Sequence, residues 1–360
     1  MLTIVLTYRN RDLNIVRRCL DSLQGQTDQD FELILVDYGS DVKFAKDFKE
    51  LANNISFANY IYVATNGQLW NKSRAINIAL KKCKTPYFLM GDIDLLYHPE
   101  MISRCKSFMR QHDCVYFQYG FLSKEETDLD KNFEGYVPEF LGNGDVTGTT
   151  LYKTDILKGI NGYDEFYHGW GAEDTDVHLR LKNAGYGIKF YEEELLVKHQ
   201  WHPKSYRTKK STAPFHTRQE KVNHDYMWQQ LNNKKTVANL NYGWGELPSE
   251  TQLQKLERPE KVINLTTLQN SFEAFVYGVL PELNSSIDIN IKEDTTSKTL
   301  KNKIKKMLGK KHFSSFSIEE ANNLLLSMII STHRLSSYKY TIDWNKGVIN
   351  LKIVPYETKN

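Results

Sequence analysis

Two aspartates at the end of a short apolar run are the first candidates for chemistry in this sequence. Residues 87–90 are Tyr-Phe-Leu-Met, typical of a buried strand, and Gly91-Asp92-Ile93-Asp94 follows them. In an extended chain, residues two apart point to the same side, so the two carboxylates would repel each other unless a cation lies beside them. A divalent metal ion with oxygen ligands is the usual partner, and it can neutralise a diphosphate leaving group. The alternative is a pair of caps for the helix that follows Pro99.

A second acidic cluster follows a glycine-flanked tryptophan, in Gly169-Trp170-Gly171-Ala172-Glu173-Asp174-Thr175-Asp176. The glycines allow a sharp turn that would present the Trp170 indole, on which a sugar ring can stack. Glu173 and Asp174 then fall in the first turn of a helix, where the helix dipole favours ionised carboxylates. An ionised acid beside a hydroxyl can act as a general base. The alternative is a helix cap beside a buried tryptophan.

Two histidines lie at the end of another short strand, in Lys198-His199-Gln200-Trp201-His202-Pro203. A neutral imidazole could complete a metal site begun by Asp94, because manganese accepts mixed nitrogen and oxygen ligands. We expect His199 to be the ligand, with His202 as its substitute.

Polar loops also follow the first two predicted strands. The first strand ends in Thr7-Tyr8-Arg9-Asn10-Arg11 and the second in Asp37-Tyr38-Gly39-Ser40. Arg9 and Arg11 can pair with phosphate oxygens, and Asp37 can accept a hydrogen bond from a base or a ribose hydroxyl. Alone, a loop arginine or aspartate of this kind is more often a solvated surface residue.

These candidates need a scaffold that brings strand ends together. Apolar runs at residues 2–7, 33–37, 60–63, 87–91 and 114–119 predict strands, and apolar residues at helical spacing within 12–23, 43–53, 72–82 and 99–111 predict helices between them. This alternation predicts a doubly wound α/β sheet, in which ligands bind beyond the carboxyl ends of the strands.

The chain of 360 residues is long enough for one large domain and an appendage. We predict a catalytic domain at 1–235 and a C-terminal α+β domain of unknown role at 236–360. Strands at 261–265 and 286–292, a helix at 268–280 and a hairpin of 338–344 with 348–354 support the second domain. The turn Asn345-Lys346-Gly347 suits that hairpin.

The composition excludes little else. The net charge is only +3, so no nucleic-acid partner is expected. The four cysteines show no CxxC pairing, which favours buried thiols in a reducing compartment. The chain begins with a predicted strand instead of a signal peptide. We therefore expect a cytoplasmic protein, and the sequence predicts no oligomeric state.

Together these motifs resemble the GT-A glycosyltransferases of the β-1,4-galactosyltransferase and chondroitin-synthase type, similar to bacterial family 2 enzymes. The resemblance covers about residues 1–205, with departures at Tyr38, where many relatives have a second acid, and in residues 250–360, which match no family known to us. The segments that carry it are Tyr8-Arg9-Asn10-Arg11, Asn71-Lys72-Ser73-Arg74-Ala75-Ile76-Asn77, Asp92-Ile93-Asp94, Gly169-Trp170-Gly171-Ala172-Glu173-Asp174 and Lys198-His199-Gln200.

This resemblance implies a role for each motif. Asp174 would be the catalytic base, assisted by Glu173, and Asp94 with His199 would bind Mn²⁺ or Mg²⁺. Trp170, Gly171 and Glu173 would contact the acceptor. The donor-binding set would be Thr7, Tyr8, Arg9, Asn10, Arg11, Asp37, Asn71, Arg74 and Asp92.

The implied reaction is an inverting transfer of a hexose from a UDP-sugar to a hydroxyl of a glycan or lipid-linked glycan, in surface polysaccharide synthesis. Galactose or N-acetylgalactosamine is favoured by resemblance only. One alternative is a nucleotidyltransferase, although residues 7–11 contain no glycine for a phosphate loop. The other is a non-catalytic sugar-binding module.

Two features remain open. A second motif, Gly243-Trp244-Gly245-Glu246, is either a chance repeat or a loop that closes over the site. Seven lysines crowd residues 298–311, with apolar residues at helical spacing between them. This segment is either a solvated helix that packs its apolar stripe on its own domain, or a helix that rests on an anionic membrane at the inner face.

Overall fold

A computed structural model describes residues 1–203, 214 and 218–356, which divide into two compact units. Unit 1 comprises residues 1–63, 70–205 and 219–247, and unit 2 comprises residues 64–69, 206–218 and 248–360. Residues 236–247, which we assigned to the second domain, therefore group with unit 1. The reason is a set of hydrogen bonds: the Ala238 amide donates to the Ile160 carbonyl at 3.1 Å, and the Asn239 side chain donates to the Tyr163 carbonyl at 2.8 Å.

Unit 1 alternates strands and helices through most of its length. Its elements are β1 (Leu2–Tyr8), α1 (Leu13–Gln24), β2 (Phe31–Tyr38), α2 (Val42–Asn53), β3 (Ala58–Val63), α3 (Lys72–Lys82), β4 (Tyr87–Asp92), β5 (Leu95–Tyr97), α4 (Met101–Phe108), β6 (Cys114–Phe117), β7 (Tyr119–Phe121), α5 (Lys124–Thr127), β8 (Phe140–Leu141), β9 (Thr150–Lys153), α6 (Thr154–Gly159), α7 (Glu173–Asn183), β10 (Ile188–Tyr191), β11 (Val197–His199) and α8 (Arg218–Asn232).

The main sheet of unit 1 has seven strands in the order β10-β6-β9-β4-β1-β2-β3. β9 runs antiparallel to both of its neighbours, and the other pairs are parallel. A smaller sheet has the order β5-β11-β7-β8. The predicted α/β class with a mixed, doubly wound sheet is confirmed.

Side chains of β1 alternate between two cores, one on each face of the main sheet. Ile4 and Leu6 pack with α1, whereas Val5 packs with α3. Helix α1 buries Ile15, Val16, Cys19, Leu20 and Leu23, close to the predicted stripe, and Asp12 caps it by accepting from the Asn14 amide at 2.7 Å. The sheet is thus covered on both faces, which leaves its strand ends for ligands.

One predicted strand divides into two. The apolar run 114–119 forms β6 in the main sheet and β7 in the smaller one, with Gln118 between them. The Gln118 amide donates to the Tyr191 carbonyl at 3.0 Å, while Tyr119 already pairs with Val197 of β11. The chain therefore changes sheets at Gln118, next to the candidate site.

Unit 2 is an α+β fold. Its elements are α9 (Glu250–Glu257), β12 (Lys261–Thr266), α10 (Gln269–Glu273), a π-helix (Ala274–Val279), β13 (Ile287–Lys292), a 3₁₀ turn (Thr296–Lys298), α11 (Leu300–Met307), α12 (Ile318–Thr332), β14 (Ser337–Asp343) and β15 (Val348–Val354). The sheet order is β12-β13-β15-β14, and the predicted C-terminal hairpin is present as β14 and β15. Gly347 has a φ of 60° in the hairpin turn.

The cysteines and the helices were compared with what disulfides and membrane spans require. All four cysteines are buried free thiols. Within the described ranges, no helix has both the length and the apolar character needed to cross a bilayer.

His178 lies inside unit 1, on α7. Its Nε2 is 3.1 Å from the Thr150 hydroxyl. Burial, aided by Lys182, lowers the pKa of His178 to about 3. The folded state therefore keeps this imidazole neutral at pH values where the unfolded chain, with an ordinary pKa of about 6.5, takes up a proton.

We expect His178 to make the protein less stable as the pH falls below about 6.5. Its contribution is complete above that pH and is lost progressively toward pH 3, because only the unfolded state binds the proton there. Between about pH 7.5 and 5.5, the free energy of unfolding in urea should fall by about 1.4 kcal/mol more for the wild type than for His178→Gln. The exposed His312→Gln is the control. Equal pH dependence in all three proteins would contradict the assignment.

Candidate active site

The carboxyl ends of β1, β2 and β4 bring the first candidates together. Thr7 pairs with Asp92, and Tyr8 pairs with Asp37. Because neighbouring parallel strands end at the same edge, the two acids and the first-strand loop share one rim of the sheet. Asp92 is the last residue of β4, and Asp94 lies just before β5.

Lys72, the first residue of α3, holds three carboxylates at this rim. Its Nζ lies 2.9 Å from Asp92 Oδ1, 3.1 Å from Asp174 Oδ2 and 3.7 Å from Glu173 Oε1. We call Lys72, Asp92, Glu173 and Asp174 the lysine cluster. Burial opposes the charge on Lys72, but Asp174, Asp92 and Glu173 raise its pKa well above the ordinary value. The Lys72 ammonium therefore stays protonated.

Asp174 has one oxygen engaged and one without a partner. Lys72 contacts Oδ2, while Oδ1 is shielded from solvent and has no hydrogen-bond partner among the described residues. Burial raises the pKa of Asp174 well above its ordinary value, with Glu173 and Asp92 adding to the effect and Lys72 opposing it. A carboxylate with a raised pKa and a free oxygen is suited to accept a proton.

The loop before α7 depends on left-handed backbone. Gly169, Gly171 and Ala172 have φ values of 76°, 101° and 73°. The side chain of Asn223 on α8 donates to the carbonyls of His168, at 3.0 Å, and Trp170, at 3.1 Å. These two hydrogen bonds hold the turn in place. Trp170 is 42% exposed.

Asp94 gathers a second set of groups, with Arg11, His199 and His202. Its Oδ2 lies 3.1 Å from Arg11 Nη2 and 3.2 Å from His202 Nε2, and its Oδ1 lies 3.6 Å from His199 Nε2. We call these four residues the histidine cluster. His199 is held by pairing with Leu95 across β5 and β11, and the Gln200 amide donates to the Asp94 carbonyl at 3.0 Å.

The charges of this cluster follow from burial. Burial alone would raise the pKa of Asp94, but His199, His202 and Arg11 lower it well below its usual range. Burial also lowers the pKa of His199, although Asp94 opposes that effect. His199 is therefore neutral near pH 7, and Arg11 is the permanent cation beside Asp94.

The histidine cluster fits a divalent metal ion. Three possible ligand atoms lie within 4.8 Å of one another, one each from Asp94, His199 and His202. Asp94 Oδ1 is buried without a hydrogen-bond partner in the described structure, and His202 Nδ1 lies 3.3 Å from the Pro203 carbonyl, which leaves Nε2 as the ligand atom. A carboxylate with two imidazoles is a mixed oxygen and nitrogen donor set. The structure thus brings both histidines to Asp94, not only the favoured His199.

The two aspartates of the Asp-Ile-Asp segment belong to different clusters. Asp92 receives Lys72 on one oxygen and the Tyr119 hydroxyl, at 3.0 Å, on the other, whereas Asp94 faces Arg11 and the histidines. Their repulsion is therefore relieved by separate partners. Sequence reasoning missed Lys72 and Tyr119 as site residues. Lys72 lies within the segment that resembles the family, and three nearby acids require a cation.

Several predicted donor-binding residues are engaged inside the protein. Tyr8 is buried and stacks on Phe48, with ring centroids 3.9 Å apart. Asp37 is buried and accepts from the Ser40 amide at 2.9 Å and from the Tyr60 hydroxyl at 3.1 Å. Both therefore support the rim instead of lining an open surface.

The remaining predicted donor residues lie at the end of β1, in the loop after it and at the start of α3. Asn10 has a φ of 50° and binds Asp41, and Arg9 follows Tyr8 as a half-buried residue near Asp37. Asn71 caps α3 by accepting from the Arg74 amide at 2.8 Å. Thr7 is buried at the end of β1.

Arg74 is covered by the second glycine–tryptophan motif. Its guanidinium donates to the Glu246 carbonyl at 3.1 and 2.9 Å. The Gly245 amide donates to Glu165 Oε1 at 2.7 Å, and the Lys81 ammonium lies 3.7 Å from the Trp244 ring centroid. Residues 244–246 thus cover the guanidinium of Arg74.

Removing the charge of Lys72 should destabilise unit 1 strongly. In Lys72→Met the stem remains, but three carboxylates lose their shared cation, and breaking a buried ion pair costs about 3–5 kcal/mol. Adding Asp174→Asn should restore part of the loss in the free energy of unfolding. Lys84→Met, at an exposed site nearby, is the control and should change little. A Lys72→Met protein as stable as the control would contradict the role of the cluster.

Known protein families match residues 3–202 of the chain. Residues 3–161 match the glycosyl transferase family 2, and residues 129–202 match the N-terminal domain of galactosyltransferase. The chain is 27% identical over 252 residues to the O-antigen biosynthesis glycosyltransferase WbnJ of Escherichia coli, a match that covers 67% of this chain and 92% of the relative.

Two further proteins have more limited likeness. The match to beta-1,4-galactosyltransferase 5 of Sus scrofa is 28% identical over 140 residues and covers 37% of this chain and 31% of that enzyme. The crystal structure of S. aureus TarS 1–349 in complex with UDP-GlcNAc has a TM-score of 0.46 and 14% identity, over 65% of this chain and 66% of that one. The predicted family resemblance is confirmed: the chain is a glycosyltransferase with the GT-A fold, and its residues 3–161 match glycosyl transferase family 2.

Proposed function

We propose that this glycosyltransferase moves a hexose, with galactose or N-acetylgalactosamine favoured, from a UDP-sugar to a hydroxyl of a glycan, with inversion. The observation that carries the proposal is the arrangement around Ile93. On one side, the lysine cluster holds a carboxylate with a free oxygen; on the other, the histidine cluster offers a donor set for a metal. Asp92 of the lysine cluster and Asp94 of the histidine cluster are separated by one residue, so a base and a diphosphate site on either side of Ile93 suit a single displacement at a sugar carbon.

The histidine cluster would receive the diphosphate end of the donor. Asp94, His199 and His202 would hold Mn²⁺ or Mg²⁺, which when bound supplies positive charge to the departing diphosphate. Arg11, which pairs with Asp94, would pair with phosphate oxygens instead once the donor binds. Arg9 would provide a second guanidinium, and Asp37, held by Ser40 and Tyr60, would support the loop on which the nucleoside rests.

The lysine cluster would carry out the proton transfer. As the acceptor oxygen bonds to the anomeric carbon, its proton passes to Asp174 Oδ1, and the bond from that carbon to the UDP oxygen breaks. Lys72 keeps Asp174 Oδ2 in place and remains protonated throughout. Attack opposite the leaving group converts an α-linked donor into a β-linked product. Trp170, Gly171 and Glu173 would position the acceptor at the loop before α7.

The relatives' names support the class of acceptor. The relative from Escherichia coli is named for O-antigen biosynthesis, and another relative is a galactosyltransferase. A glycan or lipid-linked glycan of a surface polysaccharide is therefore the acceptor we propose.

A donor and acceptor screen tests the proposal as a whole. Purified protein is mixed with individual UDP-sugars, glycan acceptors and Mn²⁺, and both UDP and the glycosylated product are measured. We expect acceptor-dependent UDP release that EDTA abolishes. Release of pyrophosphate would instead indicate a nucleotidyltransferase, and sugar binding without turnover would indicate a binding module.

Asp94→Ala should abolish transfer and metal-dependent UDP binding, because it removes the carboxylate that the two imidazoles share. Binding of Mn²⁺, followed by titration calorimetry, should be lost while the circular dichroism spectrum is retained. Asp130→Ala, at an exposed position, is the matched control and should bind Mn²⁺ normally. Manganese-stimulated turnover at the wild-type rate in Asp94→Ala would refute the metal site.

Asp174→Asn should lower turnover by roughly 10²–10⁴-fold, because the amide keeps the shape of the side chain but cannot take up the proton. The affinity for UDP should barely change, since Asp174 lies in the lysine cluster, away from Asp94. Glu173→Gln, one residue away in the same helical turn, should retain more activity. If Glu173→Gln is inactive and Asp174→Asn is active, the base is the neighbouring residue.

A further inference from the structure

Unit 2 contains a strongly basic segment of unusual orientation, residues 298–313. It comprises the end of the 3₁₀ turn, helix α11 and the loop after it. The segment contains seven lysines and no acidic residue. Among the described residues, Lys298 is the member with an ion pair, to Glu293 at 2.9 Å. The other lysines therefore keep most of their positive charge uncompensated.

The apolar side chains of this segment face solvent. They are between 47% and 86% exposed: Leu300, Ile304, Met307, Leu308 and Phe313. A helix of a globular protein ordinarily turns such a stripe toward its own core. The interpretation that this helix packs its apolar stripe on its own domain is therefore wrong.

A buried asparagine explains the orientation. Asn302 is buried, and its side chain donates to the carbonyls of Ser297, at 3.0 Å, and Phe313, at 2.7 Å. It also accepts from the Phe313 amide at 2.8 Å. At about 100° per residue, Asn302 lies roughly opposite the centre of the Leu300, Ile304 and Met307 stripe. Three polar contacts thus hold the inward face, and the apolar face is turned outward.

The lysines flank the exposed stripe. Lys301 and Lys303 lie on opposite sides of its centre, about 95° and about 65° from it, and Lys310 and Lys311 follow the helix end at Gly309, whose φ is 65°. Lysine side chains placed this way can extend along a lipid surface and reach its phosphates, while the apolar stripe enters the layer between them.

We propose that residues 298–313 dock this protein on an anionic lipid surface. The exposed apolar stripe would insert at the level of the headgroups, and the flanking lysines would bind lipid phosphates. A nucleic acid would match the lysines alone, because a phosphate backbone gives no favourable contact to exposed leucine and methionine. Charge and apolar area together therefore favour lipid. This inference does not depend on the proposed reaction.

Vesicle flotation tests the proposal. The full chain is mixed with vesicles of phosphatidylcholine alone or with added phosphatidylglycerol, at low and high salt. We expect binding to the anionic vesicles at low salt, weaker binding at high salt, and little binding to the neutral ones.

Two variants separate the charged and apolar contributions. Lys301→Gln/Lys303→Gln/Lys306→Gln should weaken binding to anionic vesicles by about a hundredfold, since each basic side chain near such a surface contributes about fivefold. Leu300→Ser/Met307→Ser should weaken it by about tenfold. The control removes the same charge elsewhere, from the exposed positions of α2, as Lys43→Gln/Lys46→Gln/Lys49→Gln, and should retain most of the binding.

Each alternative occupant has a distinct result. No binding to anionic vesicles at low salt overturns the proposal, as does equal weakening in the α2 control. Loss of self-association in Leu300→Ser/Met307→Ser, without vesicle binding in the wild type, would identify a second copy of the chain instead. Binding to duplex DNA but not to vesicles, lost in the lysine variant, would identify a nucleic-acid surface. Urea unfolding of every variant should match the wild type, because the substituted side chains are exposed.

Discussion

The organisation of the site depends on one buried ammonium group shared by three carboxylates. Asp92 comes from the main sheet, and Glu173 and Asp174 come from the start of α7. Without Lys72 these acids would repel one another, and at least one would have to be protonated to remain buried. With Lys72 in place, the end of β4 and the start of α7 are drawn together. The same contact fixes one oxygen of Asp174 and leaves the other unpaired.

This constraint also separates the roles of the two aspartates. Asp92 is satisfied by Lys72 and Tyr119, so Asp94 alone faces the histidines. The change of sheet at Gln118 is what places the Tyr119 hydroxyl against Asp92. A continuous strand through residues 114–119 would have carried Tyr119 along the main sheet instead. The division of the strand is therefore part of how the site is built.

Much of the fold could be predicted because it depends on local periodicity. The stripe of α1, the strands of the first unit and the C-terminal hairpin follow from patterns within a few residues. The site was harder, because its decisive contacts join residues far apart. Lys72 meets Asp174 across 102 positions, and Arg74 is held by a backbone carbonyl of Glu246, which any residue type would supply. Burial of Tyr8 and Asp37 likewise depends on partners from other elements.

The pairing of β5 with β11 gives the histidine cluster a particular vulnerability. His199 lies opposite Leu95, and its neighbour Lys198 points to the other face, where its ammonium donates to the carbonyls of Phe133 and Tyr136. Successive side chains of a strand alternate between faces, so a register slip of a single residue exchanges the two. Such a slip would put an ammonium where the imidazole now stands. The Lys198 ammonium would then occupy the place where a metal ion is expected to bind. A single inserted or deleted residue in β11 would therefore do more harm than most substitutions there.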